Sequence, residues 1–200
     1  MRLFAAIAAP ALLLAAAAPA AAPANSVAAK SGPTRIAVFA GGCFWSAEKA
    51  MESLAGVRGA VSGYSGGTTA NPSYENHQGH LEVVRVTYDP AVVSYAKVVD
   101  HFFHNIDPTD PNGQICDQGP SYRTAVFAGN AQERQIAEQV KASVAKTLGA
   151  SVATQVRNAA PFYMAEGYHQ DYAKRNPVAY NAYRIGCGRD RALKAVWGGR

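Results

Sequence analysis

The chain reads as an α/β protein of the α+β kind, a two-layer sandwich with a ferredoxin-like split βαβ core and a mixed sheet. Three observations predict it. Short apolar, β-branched runs recur at 35–40, 56–64, 82–88 and 122–127, each bounded by Gly, Asp or Pro as strands are. Between them lie segments with apolar residues at helical spacing. The resulting order of strand, helix, strand, strand, helix, strand is that of the split βαβ unit, with helices packed mainly on one sheet face.

Arg35 to Ala40 is a buried strand, and Gly41-Gly42 allows a tight turn into a helix that runs to Leu54. Gly56 to Tyr64 alternates as a strand does, and 65–72 is a loop by its Gly, Asn and Pro content. Glu82 to Tyr88 is β-branched and closes at Asp89-Pro90. Ser94 can cap a helix through His104 whose apolar face carries Val98, Val99, Phe102 and Phe103. Residues 105–120 form an irregular stretch, and loops of that length inside a compact domain tend to be functional. A strand is expected at 122–127. A helix follows, with Asn130 and Glu133 at capping-box spacing and Gly149 at its end. Val152 to Val156 is a last strand and Tyr168 to Arg175 a short helix, and from Asn176 the chain is expected to be an irregular tail.

The first 24 residues read as a secretory signal peptide: a short basic start, an apolar Ala- and Leu-rich run from Leu3 to Ala18, and small-x-small sites at 18–20 and 22–24. Pro10 interrupts the run, which is short for a membrane span. Residues 25–33 are a flexible leader, leaving 34–200 as one catalytic domain and implying periplasmic or secreted placement. The formal charge is +5, or +4 without Arg2, and the basic residues are dispersed. That pattern favours solubility over nucleic-acid binding; a monomer is the default. Three cysteines, Cys43, Cys116 and Cys187, cannot all pair within one chain, and their spacing matches no zinc ribbon or CxxC motif. Redox cycling explains an odd thiol better than a structural staple does.

Cys43 falls where the first strand hands over to the first helix. Unpaired N–H groups and the positive end of the macrodipole there favour a thiolate, the reactive form. The alternative is a small buried core cysteine. Glu82 opens an apolar strand, so partial desolvation could raise its pKa and make it a general acid. Tyr74 and Tyr122 sit in loop-rich surroundings and can each donate a phenolic hydrogen bond. Asp117 could orient one of these groups. Phe44 and Trp45 can wall an apolar pocket or anchor the helix in the core. His101 and His104 stand i,i+3 on a helix, but no further ligand motif accompanies them, and no metal or other cofactor is expected.

Several segments together resemble one family. Gly42-Cys43-Phe44-Trp45, Gly63-Tyr64-Ser65-Gly66-Gly67, Asn71-Pro72-Ser73-Tyr74, the run from Gly79 to Val86, Asp107-Pro108-Thr109, Ser121-Tyr122-Arg123-Thr124 and Tyr168-His169-Gln170-Asp171-Tyr172 look like the motifs of A-type peptide methionine sulfoxide reductases, in the family's order. The resemblance implies reduction of the S epimer of methionine sulfoxide, free or in proteins. It implies that Cys43 attacks the sulfoxide sulfur, that Glu82 protonates its oxygen and that Tyr74 and Tyr122 hydrogen-bond that oxygen. It places Asp117 at the family's active-site aspartate, and Phe44 and Trp45 around the substrate methyl. Cys43 would become a sulfenic acid, a second thiol would condense with it, and a thioredoxin-like dithiol would reduce the disulfide.

The sequence departs from the family pattern at three places. Ser46 follows Trp45 where Gly is usual. Gln114-Ile115-Cys116-Asp117 replaces the common Gly-Asn before the aspartate. Asn181 stands where many members carry a resolving cysteine. Cys187, six residues on, is the expected resolving thiol, with Cys116 its rival. Other readings are a thiol hydrolase using His169 or His80 as base, a thiol sensor, and a non-catalytic binding module with Cys43 buried.

Overall fold

A computed structural model describes residues 32–198. The expected signal peptide and most of the leader lie outside the described residues. The elements in chain order are β1 (Arg35–Ala40), α1 (Phe44–Glu52), β2 (Val57–Ser65), β3 (Leu81–Tyr88), α2 (Tyr95–His104), β4 (Gly113–Gln114), β5 (Asp117–Gln118), β6 (Ala125–Ala128), α3 (Ala131–Leu148), β7 (Gln155–Asn158), β8 (Phe162–Met164), α4 (Tyr172–Arg175), α5 (Pro177–Gly186) and α6 (Arg189–Trp197).

Six strands form one sheet in the order β7-β6-β1-β3-β2-β8. Its inner four, β6-β1-β3-β2, run antiparallel in the split βαβ arrangement that the sequence predicts. β7 joins β6 in parallel and β8 joins β2 antiparallel, which makes the sheet mixed. Alternation along β3 sorts its side chains. Val84, Val86 and Tyr88 join the main core with Phe39, Phe44, Met51, Val98, Val99, Phe102 and Phe103. Leu81 and Val83 form a smaller cluster with Ala40, Ala125 and Phe127. Each large apolar side chain so buried contributes roughly 1.5–3 kcal/mol, so α2, with Val98, Val99, Phe102 and Phe103 buried, is held mainly by packing.

The predicted caps form. The Ser94 hydroxyl accepts the Lys97 N–H, Asn130 Oδ1 accepts the Glu133 N–H, and Gly149 ends α3 at φ +62°. Element bounds shift where loop chemistry competes. Pro120 starts a 3-10 turn through Tyr122, which delays the expected strand at 122–127 to Ala125. The last predicted strand begins at Gln155 rather than Val152, and helical geometry in 168–175 is confined to α4.

The tail expected to be irregular is helical instead. Pro177 takes the first position of α5, where its missing N–H costs nothing and its fixed φ suits a helix. Val178 and Ile185 on that helix are 83% and 78% exposed, so its apolar residues at helical spacing do not face the core. Three contacts dock α6. Trp197 Nε1 donates to the Ile106 carbonyl (2.9 Å), Arg189 Nη2 donates to the Asn105 carbonyl (2.8 Å), and the Trp197 ring stacks on His104 at 4.2 Å.

Candidate active site

The turn between β1 and α1 requires glycine. Gly42 has φ +77°, and a Cβ there would lie 2.4 Å from the Gln114 Cβ. The turn leaves Cys43 as N-cap of α1, its carbonyl accepting the Ser46 and Ala47 N–H groups at 3.1 and 3.2 Å. The thiol is buried. Glu82 is brought in by β3, opposite Tyr64 of β2. It is only 2% exposed, and its Oε2 accepts the Phe44 N–H at 3.0 Å. The start of α1 therefore presents a thiol and a carboxyl side by side.

Burial pushes the Glu82 carboxyl up to about 8; the Phe44 N–H pulls it back, and the Asp117 charge adds to the rise. Burial likewise pushes the Cys43 thiol up to about 12, with the Glu82 charge next; the Tyr183 hydroxyl and the Trp45 N–H lower it, and Asp117 raises it. The expectation that the helix N-terminus alone makes Cys43 a thiolate is corrected here. Desolvation and neighbouring carboxylates outweigh the macrodipole, so the buried site favours the protonated thiol.

Tyr122 is half-buried in the 3-10 turn, and Tyr74 is 41% exposed in its loop. Burial and then the Glu82 charge raise both phenols, and the Tyr122 hydroxyl pulls Tyr74 back. Tyr74 is set in place by its own N–H, which donates to Glu166 Oε1 at 2.9 Å, while the Tyr64 hydroxyl donates to Glu166 Oε2 at 3.0 Å. Burial raises the Asp117 carboxyl, and the Tyr183 hydroxyl, which donates to Oδ2 at 2.5 Å, lowers it. Phe44 is 1% exposed and packs between Tyr64 and His169, so it is a core residue as well as the floor of the site. Half-buried Trp45 stacks on Tyr172 at 3.8 Å, and its Nε1 donates to His169 Nδ1 at 3.0 Å.

The structure thus gathers Cys43, Glu82, Tyr74, Tyr122 and Asp117, with Phe44 and Trp45 beside them. Cys116 and Cys187 are disulfide-bonded to each other, and Cys43 is free. The two rivals for resolving thiol are therefore partners. Sequence reasoning passed over Tyr183, which contacts both Asp117 and Cys43; it lies in the tail, where no helix was expected. It also passed over Glu166, whose two oxygens hold Tyr64 and the Tyr74 backbone. The histidines proposed as a hydrolase base are otherwise engaged: His169 Nδ1 accepts from Trp45, and His80 hydrogen-bonds the backbone of Gly67 and Thr69 through its two nitrogens. His101 Nε2 and His104 Nδ1 lie against backbone carbonyls of Ala50 and Asp100.

A lone buried thiol flanked by a proton-holding carboxyl, with a disulfide on the adjoining loop and tail, is the equipment of a thiol-dependent oxidoreductase. The family model described as peptide methionine sulfoxide reductase matches residues 35–200. Peptide methionine sulfoxide reductase MsrA 2 of Caulobacter vibrioides is 52% identical over 171 residues, covering 83% of this chain and 87% of that protein. The reduced form of Mxr1 from Saccharomyces cerevisiae superposes with a TM-score of 0.69 at 29% identity, over 72% of this chain and 87% of that one. Mxr1 in complex with Trx2 aligns at 22% identity with a TM-score of 0.51, over 74% and 91% of the two chains. This chain belongs to the peptide methionine sulfoxide reductase family.

Proposed function

We propose that the chain reduces the S epimer of methionine sulfoxide, free or within proteins, with Cys43 as nucleophile and Glu82 as acid. The observation that carries this reading is the Glu82 carboxyl beside Cys43: buried, hydrogen-bonded to the Phe44 N–H and pushed by its burial up to about 8. A sulfoxide oxygen leaves sulfur only once it is protonated. Glu82 passes its proton to that oxygen, assisted by the Tyr74 and Tyr122 hydroxyls, and the Cys43 thiol returns one to Glu82 as its sulfur attacks. The S–O bond of the substrate breaks, methionine departs, and the oxygen remains on Cys43 as a sulfenic acid. Trp45, over Phe44, offers an apolar wall for the substrate methyl, and Asp117 with Tyr183 closes the opposite side.

Resolution follows from the cysteine pairing. One thiol of the Cys116–Cys187 pair attacks the sulfenic sulfur and expels water. The other then attacks that mixed disulfide, leaving Cys43 as a thiol and the pair oxidised, the state in which the two are found. A thioredoxin-like dithiol reduces the pair by exchange, a reading supported by the likeness to Mxr1 crystallised with Trx2. The balance is one sulfoxide and one dithiol consumed for one methionine, one disulfide and one water. The N-terminal sequence supports export to the periplasm or beyond, which N-terminal sequencing of the mature protein will check; a monomer is the default reading, which sedimentation will check.

The deciding experiment is turnover of the two epimers of a methionine sulfoxide peptide with dithiothreitol as reductant, for wild type and Cys43→Ser. Reduction of the S epimer alone, lost in the variant, is expected; turnover of neither epimer by folded, reduced protein overturns the proposal.

A further inference from the structure

We propose that a cavity between α1, α5 and α6, behind the disulfide, binds a small tetrahedral oxoanion of the size of phosphate. The cavity holds ≈ 170 Å³, and its polar lining comes from Ser46, Lys49, Ser53, Asn105, Arg184 and Arg189, with Tyr180 at the wall. Arg189 carries the inference. Its side chain is 4% exposed, Nη2 donates to the Asn105 carbonyl at 2.8 Å, and Nη1 is buried with no hydrogen-bond partner among the described residues. A buried guanidinium N–H without an acceptor is costly, and a charged one more so. An anion in the adjoining space would supply the acceptor.

The charge balance and the volume point the same way. Lys49 lies with its Nζ 4.7 Å over the Tyr180 ring, a contact that leaves its ammonium protons available. Arg184 donates through Nε and Nη2 to Asp190 Oδ1, so that carboxylate offsets one of the three cations. Asp117 also lies within the field of Arg189. The cavity itself stays cationic, and the Ser46 hydroxyl adds a neutral donor at the position where the family pattern carries Gly. Donors converge from three helices, as a tetrahedral ion accepts them, rather than from the single fork that suits a planar carboxylate. A volume of ≈ 170 Å³ accommodates such an ion with a few waters of roughly 30 Å³ each, but falls short of the roughly 300 Å³ at which sites for larger ligands begin.

An ion seated there joins α1, which begins at the Cys43 turn, to the two helices that flank Cys187. It would fasten the tail to the body from behind the disulfide. The test is calorimetric titration of inorganic phosphate into the full chain with the Cys116–Cys187 disulfide intact, at ionic strength held constant with chloride, and acetate titrated in parallel. One saturable phosphate site is expected, with acetate binding at least about tenfold more weakly. Arg189→Gln should weaken phosphate by about tenfold or more, and Lys49→Met by about threefold to tenfold. Phosphate should also slow amide exchange across 177–197 in the wild type. Because Arg189→Gln can fail to fold, the exposed Lys49→Met carries the test alone if it must. Absence of saturable phosphate binding, equal binding of acetate, wild-type affinity in Lys49→Met, or unchanged exchange in the tail would each overturn the proposal.

Discussion

In the proposed reaction Cys43 and Cys187 take consecutive parts, yet the molecule holds them by different means. Cys43 sits at the junction of a central strand with α1, a helix that buries Phe44, Ser46, Ala47, Glu48 and Met51. Cys187 sits between α5 and α6, which bury one residue each, Tyr180 and Arg189. Its partner Cys116 is exposed, on the loop between the two-residue strands β4 and β5. The Glu82 carboxyl, the proposed acid, is fixed by sheet register. The Cys116 and Cys187 thiols, which on the proposed route visit Cys43, then each other, then an external dithiol, lie on segments held by a few hydrogen bonds and one disulfide. Such segments belong to the low-stability end of a fold. The positioned acid and the travelling thiols need opposite mechanical properties, and burial divides them accordingly.

The largest effects should separate the two regions outright. Cys43→Ser is expected to abolish sulfoxide reduction in single-turnover as well as steady-state assays; any residual turnover removes Cys43 as the nucleophile. Cys187→Ser and Cys116→Ser should each keep a first turnover, measured as methionine released per enzyme without reductant, while thioredoxin-driven cycling is lost. A variant of either that still cycles at the wild-type rate would mean that the external dithiol reads Cys43 directly and that the pair is a staple.

Next comes Glu82→Gln. The chemical step should slow by about 10²–10⁴, the usual worth of a positioned acid, with little change in KM. The pH dependence sharpens the point. With the carboxyl at about 8, the wild-type single-turnover rate should fall as pH rises through that value, and the variant should lose this inflection. Stability gives an independent readout. The folded state binds the Glu82 proton more tightly than the unfolded chain does. Between the ordinary glutamate range and about 8 the native state therefore carries more protons, and stability falls as pH rises across that window. Glu82→Gln removes this fall and keeps an acceptor for the Phe44 N–H. Chemical denaturation at pH 8 should find the variant no less stable than wild type. A clear loss there would show that the carboxylate is worth more to the fold than its burial costs.

The same division governs what the sequence discloses. The split βαβ core was legible because α2 and β3 carry unmixed signals: an apolar helical face behind a Ser94 cap, and β-branched alternation stopped by Asp89-Pro90. Cys43, Glu82 and the two tyrosines were legible because their motifs are local. Hidden from it were features made by contacts between segments far apart in the chain. Asp117 meets Tyr183 across 66 residues, and Tyr74 meets Glu166 across 92; no local pattern encodes either. The tail helices were missed because α5 turns Val178 and Ile185 outward and fully buries only Tyr180. The protonation of Cys43 was misjudged for a related reason: a helix terminus is visible in sequence, but the opposing charges of Glu82 and Asp117 are brought in by other elements.

Tyr183→Phe probes the seam between the two regions and should have the smallest effect. Its hydroxyl donates to Asp117 and lies beside the Cys43 thiol, whose pKa it lowers, so one tail residue reaches both Cys43 and the loop that holds Cys116. Without the hydroxyl, Asp117 loses a partner and its charge acts on Cys43 less well compensated. The thiol should then be harder to ionise and react more slowly by about three- to tenfold, the worth of one hydrogen bond of roughly 1 kcal/mol. Alkylation of Cys43 by iodoacetamide across pH, in protein with the Cys116–Cys187 disulfide intact, reads this directly, and the profile should shift to higher pH. If the profile stays put while thioredoxin-driven cycling falls, Tyr183 acts on the tail alone, and the nucleophile is tuned entirely from the rigid side of the molecule.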